Sequence, residues 1–137
     1  MKRIEHREKK WQFPFVEYSP EKMTENLPII IQLHGAGERG EGKEDLSLVD
    51  IHGFSKIIAG KDYPCIFIMP QCPCESFWVA KLESIVSFIE KLISERQEPF
   101  VDLLNVIVVR IDLARAVHTS IIPSLIEKIL AEPVGKV

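Results

Sequence analysis

"LPIIIQLHGAGERGEG" runs from Leu27 to Gly42 and decides how the chain is read. Its first half is a β-branched run of the kind found in strands buried on both faces. Its second half breaks into four glycines, Gly35, Gly37, Gly40 and Gly42. Gly35, Gly37 and Gly40 spell G-x-G-x-x-G, the spacing of a dinucleotide-phosphate cradle. Read from His34, the same letters spell H-G-x-G, a sharp turn that can aim backbone N–H groups at a carbonyl oxygen.

The neighbours separate the two readings. A phosphate cradle opens straight into a helix whose N-terminus carries the pyrophosphate. Here the loop continues through Glu41, Gly42 and Lys43, and Glu38 would stand where the phosphate charge arrives. The next apolar run, "CIFIMP", closes on Met69 and Pro70 instead of the acidic residue that holds a ribose. No G-K-[ST] follows either. Nucleotide binding through Gly35-x-Gly37-x-x-Gly40 is therefore the weaker reading. In the other, the N–H groups of Ala36 and Gly37 hold the oxyanion of a tetrahedral intermediate, and the glycines let backbone approach substrate with no Cβ in the way.

The rest of the chain supplies a frame for that loop. "WQFPFVEYSP" alternates loosely and ends at Pro20, which predicts an edge strand or extended arm. "LSLVDIHGFSKIIAG" predicts a short, glycine-interrupted helical stretch closing at Gly60. "YPCIFIMP" is a second buried-type strand and "LLNVIVVRI" a third. Between them, Trp78–Glu95 predicts a helix with Val79, Leu82, Ile85, Val86, Ile89, Leu92 and Ile93 on its apolar face. "LARAVHTSIIPSLIEKILAE" predicts a last helix or helix pair. Strand–loop–helix units in this order predict an α/β fold, a mostly parallel sheet with flanking helices.

Composition narrows the classes. At 137 residues there is room for one domain, and a formal net charge of −3 offers no attraction to nucleic acid or anionic membrane. No apolar run is long enough for a membrane span, and the basic start leads into no apolar signal region, so a cytoplasmic location is expected. Three cysteines, Cys65, Cys72 and Cys74, point to free thiols rather than a disulfide framework. Cys72 and Cys74 lack the partners that a four-ligand metal site needs, so neither metal nor cofactor is expected. Glu38 and Arg39 read as a solvated charged pair on the loop.

Taken in order, "FPFVEYSP", "LPIIIQLHGAGERG", "IHGFSKII", "CIFIMPQCP" and "FW" before an amphipathic helix resemble the first half of an α/β-hydrolase. The branch is that of dienelactone hydrolases, esterases and prolyl-oligopeptidase-like proteins, which includes peptidases, phospholipases and carboxylesterases. The resemblance spans roughly Phe13 to Glu95 and implies a three-layer sandwich of which this chain holds part. It implies an early antiparallel strand at "FPFVEYSP" and an oxyanion loop at His34, Gly35, Ala36 and Gly37. It also implies that Gln71 and Trp78 line or buttress the substrate loops, Trp78 having core packing as its alternative, and that the ligand is a small-molecule ester or peptide.

Such a hydrolase next offers strand, G-x-S-x-G elbow and helix, with an acid and a histidine later in the chain. No glycine stands between Gly60 and Gly135, so no such elbow occurs in that interval. Ser55, in "HGFSKI", is the serine with a glycine two residues before it, but bulky Ile57 stands where an elbow needs a small residue. None of His6, His34, His52 and His118 maps onto the catalytic position. The expected division is residues 1–96 as the N-terminal half of a hydrolase domain and 97–137 as a tail, strand plus helix, that departs from the family. The expected function is a truncated or inactive hydrolase that keeps the oxyanion loop and lacks the nucleophile. The alternative is a non-catalytic binding module using Gly35–Gly42, and an exposed sheet edge is a candidate homodimer seam.

Overall fold

The computed structural model describes residues 1–24, 27–58 and 60–96, together with the backbone of 101–110. The helix expected over 113–132, and His118 within it, lie outside the described residues. Five strands form one sheet: β1 (Lys2–His6), β2 (Phe15–Ser19), β3 (Leu27–Leu33), β4 (Ile66–Pro70) and β5 (Val101–Arg110). Their order is β1-β2-β4-β3-β5. β2 is antiparallel to both β1 and β4, whereas β3 is parallel to both β4 and β5. The sheet is thus mixed, which corrects the mostly parallel arrangement expected from the alternation of strands and helices. Hairpin-type pairing of the first two strands causes the difference. β5 belongs to this sheet, hydrogen-bonded to β3 from Leu33↔Arg110 back to Ile29↔Val106.

The edge is also not where the sequence suggested. β2 lies inside the sheet, and the charged start "KRIEH" forms the outer strand. Charges on an edge strand discourage pairing with another chain, and Lys2, Arg3 and Glu5 are all exposed there.

Side chains alternate across the strands and feed two cores. On one face Phe15, Ile29, Ile31, Ile66 and Ile68 pack with Phe13, Trp78 and α2 (Leu82–Glu95). On the other, Val16, Ile30, Phe67 and Met69 pack with a 3-10 segment, Glu44–Asp50, and the short helix α1 (Phe54–Ile58). Helical elements on both faces make three layers.

α2 does not bury the stripe read from its period. Its core face is Ile85, Phe88 and Leu92, while Val79, Leu82 and Val86 are exposed. The segment opens as a 3-10 turn, Trp78–Lys81, before the α-helix starts. That turn advances about 120° per residue instead of about 100°, so a single α-helical wheel drawn from Trp78 misplaces its first residues.

Candidate functional site

β3 and β4 run parallel, so their carboxyl ends and the loops that follow meet at one end of the sheet. Ligands of α/β proteins bind at that end. His34 follows β3 directly and is buried. Its Nε2 accepts the backbone N–H of Cys72 at 2.9 Å, which leaves the ring proton on Nδ1 to donate to the Gly35 carbonyl at 2.5 Å. The His34 carbonyl in turn accepts the indole N–H of Trp78 at 2.9 Å. Burial pushes the His34 pKa below its ordinary value, against the Gly35 hydrogen bond and helped by Arg39 nearby. A neutral imidazole with both nitrogens occupied is a staple across three segments. It is not a free base.

Gly35 is extended (φ −81°, ψ −172°) and caps a 3-10 turn, Ala36–Glu38. Ala36 and Gly37 are exposed and take the first two positions of the turn, where an N–H owes no bond to a carbonyl of its own turn. The turn is three residues long and its C-cap, Arg39, is already extended. No helix therefore opens from the glycine loop, as a phosphate cradle would require.

Buried polar side chains hold this loop from below. Gln71 is 0% exposed; its Nε2 donates to the carbonyls of Glu38 (3.1 Å) and Asp45 (2.8 Å), and its Oε1 accepts from Gly42 N–H (2.9 Å). A Cβ on Gly40 would collide with Gln71 Nε2 and come within 2.5 Å of Asp45 Oδ2, so this close approach needs glycine. Asp45 accepts the N–H groups of Glu41 (2.7 Å) and Lys43 (3.0 Å). Those bonds, the Glu41 one first, hold its carboxyl below the usual range.

Beside the turn lies a cleft of about 270 Å³, walled by Gly35, Ala36, Arg39, Phe77, Trp78 and Val79. His34 and Cys72 contribute at its floor. Burial pushes the Cys72 thiol up, Arg39 and Lys81 opposing, so it is not a thiolate at neutral pH. Of the residues singled out in the sequence, His34, Gly35, Ala36 and Trp78 meet at this cleft. Gly37 is exposed next to Ala36 but outside the wall, and Gln71 lies under the loop. Trp78 both lines the cleft and belongs to the core. The solvated pair is a correction: Glu38 is 4% exposed, and Arg39 is half-buried in the cleft wall. Sequence reasoning missed Arg39; its place immediately after the Ala36–Glu38 turn was the available signal.

Ser55 is remote in function from this arrangement. Its Oγ is spent within its own turn, against the carbonyls of Asp50 (2.5 Å) and His52 (3.3 Å). Among the described residues no three of His, Cys, Asp and Glu group as metal ligands. No described helix is long and apolar enough to cross a membrane.

No protein-family model matches the chain. No curated protein matches it either. Among solved structures it is similar to the crystal structure of a thermostable esterase, at 19% identity and a TM-score of 0.53. The match covers 81% of this chain and 34% of that one, so the chain spans about a third of the esterase's length. At that identity the likeness shows an esterase-like α/β fold.

Proposed function

We propose that the His34–Gly37 turn is an oxyanion-type site for an acyl carbonyl, within an α/β-hydrolase-like protein acting on carboxylic esters. One observation carries this reading: two exposed residues, Ala36 and Gly37, open a short 3-10 turn, whose first N–H groups owe no bond within it, beside a cleft with an aromatic wall. Preorganised N–H donors of this kind stabilise the charge that develops on a carbonyl oxygen, because they need no reorganisation when it appears. The hydrogen bonds of His34 and Gln71 supply the preorganisation. The cleft volume is near the low end for small-molecule sites, which suits an acyl group of one ring or a short chain.

The described residues hold no activated nucleophile in the cleft: Ser55 is engaged elsewhere and Cys72 is a buried thiol. The 137 residues by themselves are therefore expected to bind an ester without turning it over.

Ala36→Pro tests the reading. Proline is tolerated at the first position of a helical turn, and extended Gly35 already has the conformation that a following proline requires. The substitution removes one N–H and leaves the backbone path intact. Methyl benzoate, titrated by calorimetry, is expected to bind the Ala36→Pro variant roughly tenfold more weakly than the original chain. Ala36→Ser, which keeps the N–H, is expected to bind normally. Equal binding by the proline variant would remove the oxyanion reading, as would labelling of the unmodified chain by a fluorophosphonate for the absence of a nucleophile.

A further inference from the structure

Arg39 stands in the cleft wall with its charge uncommitted. Its Nε donates to the Ala36 carbonyl at 2.9 Å and its Nη1 to the Ser76 carbonyl at 3.1 Å. These two bonds pin the guanidinium between the oxyanion-type turn and the loop that carries Phe77 and Trp78. A guanidinium has five N–H donors, so three remain. Among the described residues no carboxylate lies within ion-pair distance of it.

None of the described acidic groups nearby pairs with it. Asp45 is filled by backbone N–H groups, and Glu41 receives the Cys74 thiol. Glu38 is buried. Lys81 adds a second positive charge close enough to act on the Cys72 thiol alongside Arg39. The opposite wall is apolar, with Phe77 61% and Val79 64% exposed. The cleft therefore holds a half-buried guanidinium, bonded to the Ala36 backbone, beside the loop that carries the aromatic wall.

We infer that Arg39 makes this cleft selective for an acyl ligand carrying a carboxylate a few bonds from its ester carbonyl, such as the half-ester of an aromatic dicarboxylic acid. The inference rests on the ester-binding reading and adds the charge of the substrate to it. The ring lies against Phe77 and Trp78, the ester oxygen meets the Ala36 amide, and the carboxylate takes the free side of the guanidinium. Charge-assisted pairs with a planar guanidinium are among the stronger polar contacts and are directional. Partial burial keeps this one from being fully screened.

Monomethyl phthalate and dimethyl phthalate differ by that one charge and test it directly. The full chain is expected to bind the half-ester roughly tenfold more tightly than the diester at low salt. In Arg39→Gln the ratio of half-ester to diester affinity is expected to shrink to about twofold or less, whatever the variant does to both affinities together. Arg39 also ties two carbonyls, so Arg39→Lys and a salt titration of the unmodified chain guard against a misfolded variant. Lysine is expected to keep part of the preference, and raising salt from about 0.05 to about 0.5 M to reduce it in the unmodified chain. Equal affinity for the two esters, or a preference indifferent to salt and to Arg39→Gln, overturns the inference. Such a result leaves the oxyanion reading standing as long as Ala36→Pro still weakens methyl benzoate.

Discussion

The loop over the carboxyl ends of β3 and β4 and the charged cluster under β2 both bury polar side chains, but they use them in opposite ways. Under β2, Glu17 is 4% exposed and takes both prongs of Arg96, at 2.9 Å each, with His6 Nε2 also at 2.9 Å. His6 stacks on Phe15 at 4.2 Å, and Arg96 closes the end of α2 through its N–H to the Ile93 carbonyl. Every charge there answers another, and β1, β2 and α2 are clamped together. In the loop the buried Gln71 and His34 satisfy the backbone beneath, while Glu38 is buried with one carboxylate oxygen unpartnered. Ala36 and Gly37 stay exposed, and the Arg39 guanidinium keeps donors beyond the two it gives to Ala36 and Ser76. A closed network builds stability, while a network closed below and open above builds a site.

The largest effect expected from breaking this contrast is on the clamp. Burial alone would raise the Glu17 pKa, but the hydrogen bonds from His6 and Arg96 outweigh it and hold the carboxyl at about 2, against an ordinary 4.5. Between those values the unfolded chain binds more protons than the folded one, so stability falls as pH drops from about 4.5 towards about 2. The linked loss is on the order of 3 kcal/mol. Glu17→Gln is expected to cost about 3–5 kcal/mol near neutral pH, because it leaves the half-buried Arg96 without its counter-charge and puts an amide in the buried site of a paired carboxylate. It is also expected to flatten the acid limb, and urea titrations across the pH range measure both. Methyl benzoate binding to whatever fraction stays folded is expected to be unchanged, since no clamp residue touches the cleft.

A smaller stability effect, with the opposite consequence for binding, is expected in the loop. Gln71→Ala removes three hydrogen bonds and strands the Glu38 and Asp45 carbonyls and the Gly42 N–H. The cost is expected near about 2–3 kcal/mol. Hydrogen exchange is expected to quicken from Gly40 to Asp45 and ester affinity to fall, although Gln71 does not reach the ligand. A variant that loses stability but keeps full affinity would mean the loop does not depend on its support.

The two strands that carry the site, β3 and β4, were legible in the sequence because interior parallel strands must be apolar on both faces. "LPIIIQL" and "CIFIMP" pair with each other inside the sheet, and "LLNVIVVRI" pairs with β3 as the outer described strand on that side. The loop after β3 was marked by its glycines, of which Gly40 and Gly42 are required by close approach and Gly42 also by its positive φ. β1 was not legible, because an edge strand with a solvated face has no apolar pattern to show. The buried face of α2 was blurred by a 3-10 start, and Phe88, central to one core, was left off the helical stripe. Glu38 and Arg39 look alike in sequence as loop charges. Only the fold separates them, by turning one inward and pinning the other with the carbonyls of Ala36 and Ser76. Gln71 was singled out, but its three partners lie 26 to 33 residues away, so its part in the loop depends on contacts that no local pattern encodes.

The open upper side of the loop is the central claim, and backbone amide resonances read it most directly. During a titration with methyl benzoate, the N–H signals of Ala36 and Gly37 are expected to move downfield together and saturably, while those of His6, Glu17 and Arg96 stay fixed. Saturable binding in which the Ala36 and Gly37 signals do not move, or move no more than those of the clamp, would contradict it.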